Sequence, residues 1–400
     1  MQLQSYQSAI DWLFQQFPSY QNIGAGAYKP NLDNIHALIN ELSIPLTTVP
    51  YVHVAGTNGK GSTCSILAST LTESGYKVGL FTSPHINDFR ERIRINGVMI
   101  QEEAVIDFVT HIQDAASTVA PSFFEISLAM ALDHFNREQC DIAIIETGLG
   151  GRLDATNIII PILSVITNIS LEHQIFLGDT RAQIAAEKAG IIKTTIPVVI
   201  GQMDEEIGPV FSEVSENLRS TLYLATSNHP NYLERNKVIV QKCLEVLNNI
   251  GFPTKEEHFD LGIQHVKSNA GLRGRLQVIN HQPLVIADAA HNEDGIRSMF
   301  RAIRTMYPKP DLRIVYGSSA DKDLGQIGKL FPSKADYYLT QFKNPRSLSE
   351  KQLYEFSSNF GLNAGFYSSP KLALQAAQDS ANESTVIIVF GSFFLLEEIF

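Results

Sequence analysis

The sequence predicts an α/β protein with two domains, in which mainly parallel sheets are flanked by helices. Short apolar runs alternate with stretches of helical periodicity, which is the pattern of strand-helix-strand units. The alternation begins near residue 51 and restarts after residue 271. We therefore expect one domain over residues 1–271 and a smaller, Rossmann-like domain over residues 272–400. A hydrophobic content of 44% is enough for each domain to bury a core.

The composition excludes several classes of function. A net charge of -11 argues against non-specific binding to nucleic acid or to an acidic membrane, since both need clustered cations. The cysteines Cys64, Cys140 and Cys243 are far apart, which favours neither a disulfide framework nor a zinc site. The first residues lack the basic and apolar segments of a signal peptide, and no apolar run is long enough to span a membrane. We expect a cytoplasmic protein, and no feature demands more than a monomer.

Two helices are predicted before the first strand. Apolar residues recur at helical spacing over residues 5–17 and again over residues 32–42, and each stretch stops shortly before a proline. A glycine-bearing loop over residues 24–30 joins them.

Residues 51–65 predict a cradle for a nucleotide triphosphate. An apolar strand runs into a turn with three glycines (Gly56, Gly59 and Gly61), and a helix follows. Glycines let backbone N–H groups approach an anion, and the helix N-terminus adds positive charge. Lys60 supplies a full charge, and Ser62 offers a hydroxyl to a magnesium ion.

The spacing of this loop is unusual. The standard phosphate loop has four residues between its first glycine and the Gly-Lys pair, whereas only Thr57 and Asn58 occupy that interval here. Gly61 also separates Lys60 from Ser62. A ligand-free glycine turn remains the alternative, but the coincidence of strand, glycines, lysine and serine favours nucleotide binding.

Three further strands are predicted to deliver polar side chains to the same sheet edge. Strand 77–81 leads into the polar segment 82–92, strand 141–146 ends in Glu146, and strand 164–169 is followed by His173. Ligands of open α/β sheets bind at this carboxyl edge. A second glycine-rich loop covers residues 148–157, and Thr180 would cap a helix that carries Lys188. Each group alone has an ordinary structural explanation, but together they favour a shared metal-nucleotide site.

The second domain is predicted from a renewed alternation without a GxGxxG fingerprint. Its expected strands cover residues 284–288, 312–316, 335–340 and 385–390, and its expected helices cover 293–306, 324–330, 349–359 and 371–378. The polar segment 269–275 would be a hinge, and Asp288 ends the strand expected to come first.

Several ordered motifs together resemble the folylpolyglutamate synthase and dihydrofolate synthase branch of the Mur ligase superfamily. The motifs are HVAGTNGKGST from His53, FTSPHINDFRERI from Phe81, FFEISLAMAL from Phe123, ETGLGGRLDATN from Glu146, SVITNISLEH from Ser164, IAAEKAGIIK from Ile184 and ADAAHN from Ala287. The resemblance covers essentially the whole chain. The Gly61-Ser62 ending is similar to this branch, whereas the murein-building ligases more often carry Gly-Lys-Thr-Thr.

The resemblance implies a P-loop Mur-ligase-like first domain that binds ATP and folate, and a Rossmann-like glutamate-ligase second domain. The implied activity is ATP-dependent addition of L-glutamate to folates, and also to dihydropteroate, through an acyl phosphate. A murein-type amino-acid ligase and a catalytically inactive nucleotide-binding regulator are the alternatives. Expected partners are these small molecules alone, with no nucleic acid and no membrane.

The resemblance also implies roles for individual residues. ATP would be bound by Gly56, Thr57, Asn58, Gly59, Lys60, Gly61, Ser62, Asn236, Arg275 and Asp288. Two Mg²⁺ ions would be held by Ser62, Ser83, Glu146, His173 and Lys188, the last as a carbamate. The catalytic residues would be Lys60, Lys188, His173, Arg275 and His291. The folate or pterin would contact Tyr28, Lys29, Pro30, Phe123, Phe124, Leu153, Asp154 and Ala155.

The sequence departs from the family pattern at two places that matter for these assignments. Arg273 stands where proline usually precedes Gly274 and Arg275, which would alter the stiffness of the hinge or add a cation. Asn236 is followed by larger residues than usual.

Overall fold

The protein forms two compact units. A computed structural model describes residues 5–17 and 31–400, with the side chains of residues 114–118 excepted. One unit comprises Met1–Asn228 with Leu233–Leu272, and the other comprises His229–Tyr232 with Arg273–Phe400. The predicted pterin contacts Tyr28, Lys29 and Pro30 lie outside the described residues.

The first unit alternates strands and helices. Its strands are β1 (Tyr51–Ala55), β2 (Val78–Phe81), β3 (Ile93–Ile95), β4 (Val98–Met99), β5 (Ile142–Glu146), β6 (Leu163–Ile166), β7 (Val198–Ile200) and β8 (Leu222–Leu224). Its helices are α1 (Tyr6–Gln16), α2 (Asp33–Glu41), α3 (Lys60–Glu73), α4 (Glu102–Val119), α5 (Phe123–Arg137), α6 (Gln174–Leu177), α7 (Arg181–Ala189), α8 (Gly208–Asn217), α9 (Tyr232–Asn249), α10 (Glu256–Gln264) and α11 (Val266–Ala270). Helix α9 begins at the last residue of the short segment that belongs to the second unit.

The strands of the first unit form one sheet in the order β4-β3-β2-β5-β1-β6-β7-β8. Strands β2, β5, β1, β6, β7 and β8 are parallel, and β3 and β4 add an antiparallel edge. Val54 pairs with Glu146, and Ala55 pairs with Ile166. The central strands therefore end level with one another, and the loops that follow them meet at one edge.

The central strands of the first sheet are buried on both faces, and their side chains are mainly apolar. Tyr51 packs into a cluster with residues of α1, α2, α4 and α5, whereas Val52 and Val54 pack with residues of α3 and α9. Side chains alternate between the two faces along a strand, so a run that is apolar at every position needs cover on both sides. Thr180 accepts a hydrogen bond from the backbone N–H of Gln183 and caps α7, as predicted.

The second unit is a smaller α/β unit. Its strands are β9 (Gln277–His281), β10 (Leu284–Asp288), β11 (Asp311–Tyr316), β12 (Ala335–Thr340), β13 (Asn363–Tyr367) and β14 (Thr385–Phe390), in the sheet order β13-β12-β11-β14-β10-β9. Its helices are α12 (Glu293–Met306), α13 (Leu324–Gly328), α14 (Glu350–Phe360), α15 (Pro370–Asp379) and α16 (Phe393–Ile399). Every neighbouring pair is parallel except β9 and β10.

The predicted fold class is confirmed, but some predicted elements were wrong. Strand 284–288 is not the first of its unit, because β9 precedes it and pairs with it antiparallel. The polar residues of β9 hid it, since a half-exposed strand shows no apolar run. The strand predicted over residues 164–169 ends at Ile166, and the residues beyond it form a loop. Of the helices in the described ranges, none combines the length and the apolar character needed to cross a bilayer.

Candidate active site

The phosphate loop has a backbone that requires glycine at two positions. Gly56 has a φ of 152° and Gly59 a φ of 84°, values that other residues rarely adopt. A β-carbon on Gly56 would lie 1.9 Å from the Thr167 hydroxyl oxygen, and one on Gly59 would lie 2.7 Å from Asn236 Oδ1. Neighbouring side chains thus pack directly against the loop backbone. The loop therefore leaves no room for a side chain at Gly56 or Gly59.

The N-terminus of α3 is open to an anion. Its N-cap residue is Gly59, which offers no side-chain cap to the first-turn N–H groups. The hydroxyl of Ser62 is buried and has no hydrogen-bond partner among the described residues. The side-chain amide nitrogen of Asn236, which lies beside Gly59, is also buried and has no hydrogen-bond partner among the described residues. Unpaired buried donors beside a helix N-terminus fit a phosphate ligand, and an unpaired hydroxyl also fits a metal ion.

The loop is held by the residues that follow β6. The Thr57 and Asn58 N–H groups donate to Asn168, the first to its carbonyl oxygen at 2.9 Å and the second to its side-chain oxygen at 2.7 Å. The Thr167 hydroxyl donates to the Asn58 carbonyl at 2.6 Å. Our sequence reasoning missed Thr167 and Asn168, because it assigned both residues to a strand. The TNIS segment of the motif at Ser164 was the available signal.

Two lysines converge on one backbone carbonyl. Lys60 Nζ and Lys188 Nζ each donate to the Gly56 carbonyl oxygen at 3.0 Å. Lys188 is only 4% exposed. Burial and the charge of Lys60 lower the pKa of Lys188 to about 7, although Glu172 and Asp154 oppose the shift. Two amines that share one buried carbonyl fit a ligand that carries negative charge.

A cavity that is open to solvent lies beside these lysines. It is lined by Gly56, Thr57, Lys60, Gly148, Leu149, Gly150, Glu172, His173, Leu177 and Lys188. The structure therefore brings predicted catalytic residues from the phosphate loop, the segment after β6 and α7 to one place. The cavity also adds Glu172, to which the sequence analysis assigned no role.

The predicted metal ligands fall into two groups. Glu146 is 3% exposed, and its carboxylate accepts a hydrogen bond from the Ser83 N–H at 3.0 Å. A β-carbon on Gly61 would lie 3.5 Å from the same carboxylate, so Glu146 lies at the start of α3. His173 and Lys188 instead line the cavity.

This donor set suits a hard cation that retains other oxygen ligands. In the described ranges, no three His, Cys, Asp or Glu side chains converge as a metal cluster. The predicted ligand groups are the buried Ser62 hydroxyl, the Glu146 carboxylate and, in the cavity, the His173 imidazole. Mg²⁺ is commonly held by one or two carboxylates, phosphate oxygens and water. The residues present fit a magnesium ion that arrives with a nucleotide.

The predicted pterin residues differ in accessibility. Phe123 is 3% exposed and stacks on Phe14 with ring centroids 4.8 Å apart, so it belongs to the core. Phe124 is half-buried and contacts the loop, because a β-carbon on Gly148 would lie 2.7 Å from its ring. Leu153 is half-buried, and Ala155 and Asp154 are buried. Among the described members of this set, Phe124 and Leu153 are the two that are only half-buried.

In the second unit, Asp288 is the centre of a buried hydrogen-bond network. Its carboxylate accepts from the Tyr232 hydroxyl at 2.5 Å, from the Leu276 N–H at 2.9 Å and from the Ala290 N–H at 2.8 Å. Burial raises the pKa of Asp288, while the charge of Arg275 opposes the shift. Our sequence reasoning missed Tyr232, since no spacing rule links it to a residue 56 positions later.

Arg275 and His291 both contact the first residue of α16. The guanidinium of Arg275 lies over the Phe393 ring at 5.2 Å from its centroid, and the His291 ring lies 6.0 Å from the same ring. The carbonyl of Ala289 is 2.9 Å from His291 Nδ1. The predicted ATP residues of this unit, Arg275 and Asp288, therefore share one local cluster with His291.

Comparison with known protein families decides the relationship. The family model of the Mur ligase middle domain matches residues 54–281, and that of the Mur ligase glutamate ligase domain matches residues 274–393. The chain belongs to the Mur ligase family. The resemblance that the motifs predicted is thereby confirmed, and the match to the middle domain includes the phosphate loop.

Individual Mur ligase relatives are similar to this chain over most of its length. A Bacillus subtilis dihydrofolate synthase/folylpolyglutamate synthase is 29% identical, covering 99% of this chain and 98% of the relative. A probable bifunctional folylpolyglutamate synthase/dihydropteroate synthase of Haloferax volcanii is 31% identical over 98% of this chain, which spans 50% of that longer protein.

Solved structures agree with these relatives. Escherichia coli FolC in complex with DHPP and ADP has a TM-score of 0.87 at 27% identity, covering 99% of this chain and 96% of that one. A bifunctional folylpolyglutamate synthase/dihydrofolate synthase with Mn, AMPPNP and L-glutamate bound has a TM-score of 0.84 at 28% identity, covering 99% and 97%.

Proposed function

We propose that this chain is an ATP-dependent ligase that joins L-glutamate to the carboxylate of a folate and of dihydropteroate. The observation that carries the proposal is the uncapped N-terminus of α3, where Lys60 and the unpaired Ser62 hydroxyl lie beside the Gly56–Gly59 backbone. The names of the B. subtilis and E. coli relatives support the choice of substrates, as do the DHPP, ADP, AMPPNP and L-glutamate bound to solved relatives.

The reaction proceeds in two displacements. An oxygen of the acceptor carboxylate attacks the γ-phosphorus of ATP, the bond to the β-phosphate oxygen breaks, and an acyl phosphate and ADP result. The amine of L-glutamate then attacks the acyl carbon, the carbon–oxygen bond to phosphate breaks, and an amide, phosphate and a proton are released. Negative charge develops at the reacting centre in both transition states. Fixed positive charge in the site is needed to stabilise it.

The chain supplies that charge from the phosphate loop. The N–H groups at the start of α3 hold the triphosphate in register, since no side chain competes for them. Lys60, released from the Gly56 and Thr57 carbonyls, stabilises charge on the transferred phosphoryl group. Asn236 would contact the nucleotide from beside Gly59, and Arg275 and Asp288 are further proposed contacts of ATP. His291 would add charge stabilisation during amide formation.

Magnesium would be held by Ser62, Ser83, Glu146 and His173. Once bound, two such ions neutralise phosphate charge and polarise the transferred group. A solved relative with Mn and AMPPNP bound supports a divalent ion that accompanies the nucleotide. The buried Glu146 carboxylate and the unpaired Ser62 hydroxyl are the groups of this chain best suited to such a cation.

Lys188 would complete the metal site as a carbamate. Its neutral amine adds to the carbon of CO₂ and loses a proton, which converts a cation into an oxygen ligand. The burial of its Nζ and its pKa near 7 both favour the nucleophilic neutral amine at physiological pH. Its position in the cavity with His173 supports the same role.

The acceptor would lie against the exposed surface of Phe124 and Leu153 in the first unit, with Phe123, Asp154 and Ala155 behind them. Aromatic faces stack well on a flat pterin ring. The expectation of a cytoplasmic monomer stays a prediction.

The test measures ADP formation with each acceptor separately. Purified protein receives ATP, Mg²⁺ and L-glutamate together with either tetrahydrofolate or dihydropteroate. We expect ADP to form with both acceptors, and to stop when either the acceptor or glutamate is omitted. A protein that binds ATP but forms no acceptor-dependent ADP with either substrate would refute the ligase. ADP formation with tetrahydrofolate alone would remove the dihydrofolate synthase half.

A further inference from the structure

Two of the motif residues meet inside the first unit, away from the cavity. His53 on β1 and Thr156 near the end of the second glycine-rich loop are both completely buried. His53 Nε2 lies 2.7 Å from the Thr156 hydroxyl oxygen. The same hydroxyl donates to Asp154 Oδ1, and the Thr156 N–H donates to that oxygen at 3.0 Å. Three side chains therefore form one continuous hydrogen-bonded chain.

The chemistry of Asp154 sets the direction of these hydrogen bonds. Burial raises the pKa of Asp154, but the donors that converge on it, among them Leu149 N–H and Thr156 N–H, oppose the shift. An ionised carboxylate only accepts, so the Thr156 hydroxyl directs its proton to Asp154. The Thr156 oxygen then accepts from His53, which carries its proton on Nε2. Burial and the charge of Lys193 lower the pKa of His53 to about 3, so the ring is neutral at physiological pH. His53 Nδ1 has no hydrogen-bond partner in the part of the chain that the structure describes.

The other end of the chain of hydrogen bonds lies at the cavity wall. Asp154 Oδ2 accepts a hydrogen bond from the Leu149 N–H at 2.7 Å. Leu149 lines the cavity together with Gly148 and Gly150, and Lys188 lines the same cavity. The buried histidine is thus connected to the site through two side chains and one backbone amide.

Residues 148–150 line the cavity, and the adjoining Gly151 packs against α7, the helix that carries Lys188. A β-carbon on Gly151 would lie 2.7 Å from the Glu187 carbonyl and 2.8 Å from the Lys188 carbonyl, so the backbones are in close contact. The Arg152 N–H donates to the Glu187 carbonyl at 2.7 Å. A shift of residues 148–151 would therefore change the space beside the Lys188 amine.

We propose that His53 and Thr156 are positioning residues for this site. Through Asp154 they hold residues 148–151 against the last turn of α7 and so set the width of the cavity, without touching substrate. The catalytic consequence rests on the proposed function, whereas the structural consequence does not. Substitution of Thr156 by Val keeps its shape and removes the hydroxyl, which leaves the His53 N–H without an acceptor and Asp154 with one donor fewer.

The structural consequence is tested by hydrogen–deuterium exchange of the ligand-free protein. We expect T156V to raise the exchange rates of the Leu149 and Arg152 amides about tenfold, because their fixed partners become mobile. T156S keeps the hydroxyl and should protect both amides as the wild type does. The matched control is T70V, since Thr70 is also fully buried and its hydroxyl donates to the Ile66 carbonyl of its own helix at 2.9 Å.

Unchanged exchange of these amides in folded T156V would overturn the proposal, as would equal loosening in T70V. If T156V does not fold, His53→Phe serves in the same measurement, because it keeps a planar ring and removes the Nε2 donor together with the unpartnered Nδ1. Protection equal to the wild type in His53→Phe would likewise overturn it.

The catalytic consequence is tested by steady-state kinetics. We expect T156V to lower kcat about tenfold and to leave KM for ATP within about twofold, since the phosphate loop is held by other residues. T156S should restore kcat. An unchanged kcat in T156V would refute the catalytic role. A wild-type protein that is inactive with both acceptors would refute the proposed function instead, while the exchange experiment would still decide the positioning role.

Discussion

Replacement of Gly56 by Ala tests whether the phosphate loop works only in its observed shape. A β-carbon there would lie 1.9 Å from the Thr167 hydroxyl oxygen, against the 3.4 Å at which ordinary van der Waals contact begins. The φ of 152° adds a backbone cost of about 1 kcal/mol or more. Thr167 must retreat, which breaks its 2.6 Å hydrogen bond to the Asn58 carbonyl and costs about 1 kcal/mol more.

The loop would then move by about an ångström relative to the bound phosphates, a displacement that costs catalysis roughly 100-fold. We expect G56A to lower kcat/KM for ATP by about that factor, which corresponds to about 2.7 kcal/mol. The assay is coupled detection of ADP release over a range of ATP concentrations, with urea unfolding measured in parallel.

Two further variants separate the steric contact from the backbone strain. T167A removes the clashing hydroxyl, so the double variant G56A/T167A should recover about tenfold of the lost kcat/KM, a non-additive result that reports direct contact. Gly75 has a φ of 91° and nothing near its missing β-carbon. G75A should therefore lose about 1 kcal/mol of unfolding free energy while its turnover stays within about twofold of the wild type. Wild-type kcat/KM in G56A would show that a β-carbon at residue 56 does not displace the phosphate loop.

Three other outcomes follow from the structure. Lys60→Ala should lower kcat at least about 100-fold at saturating ATP while the protein still binds ADP, because its charge acts on the transferred phosphoryl group; near-normal kcat would show that the loop is not catalytic. With ¹³C-labelled bicarbonate, the wild type should give a carbamate ¹³C NMR signal that is absent from Lys188→Arg, and an equal signal in both would exclude Lys188. Burial alone would raise the pKa of Asp88, but hydrogen bonds from Arg90 and Tyr6 outweigh it and lower the pKa to about 2. Because solvent screens this half-buried carboxylate, Asp88→Asn should lower the free energy of unfolding in urea by only about 1 kcal/mol near neutral pH. The difference between variant and wild type should shrink as the pH falls from about 4 towards 2. A pH-independent difference would contradict the last prediction.

The phosphate loop was predictable from the sequence because its information is local. Three glycines, a lysine and a serine between a strand and a helix determine the backbone shape and the ligand charge within a few residues. Glu146 and His173 were predictable as neighbours of the loop for a related reason, since parallel strands end at one edge. The structure places His173 in the cavity and Glu146 beside Gly61.

Contacts between distant segments were not predictable in the same way. Asn168 holds the phosphate loop, but it lies directly after an apolar run and was assigned to the strand. Tyr232 donates to Asp288 across 56 residues, and nothing in the spacing links them. Strand β9 was missed because an edge strand with polar side chains shows no apolar run.

The pterin surface illustrates a different limit. Phe123 and Phe124 are adjacent on a helix and therefore point about 100° apart. The structure buries Phe123 against Phe14 and leaves part of Phe124 exposed. The residues from 18 to 30 lie outside the described ranges, so the expected roles of Tyr28, Lys29 and Pro30 stay predictions.

The proposed ligase depends on activation of the acceptor carboxylate as an acyl phosphate. The most direct measurement uses an acceptor whose reacting carboxylate is labelled with ¹⁸O, together with ATP, Mg²⁺ and L-glutamate. Mass spectrometry should find a product one glutamyl residue heavier and inorganic phosphate that carries one ¹⁸O atom. Glutamylated product accompanied by unlabelled phosphate would contradict the acyl-phosphate intermediate. ADP without glutamylated product would contradict the ligase activity itself.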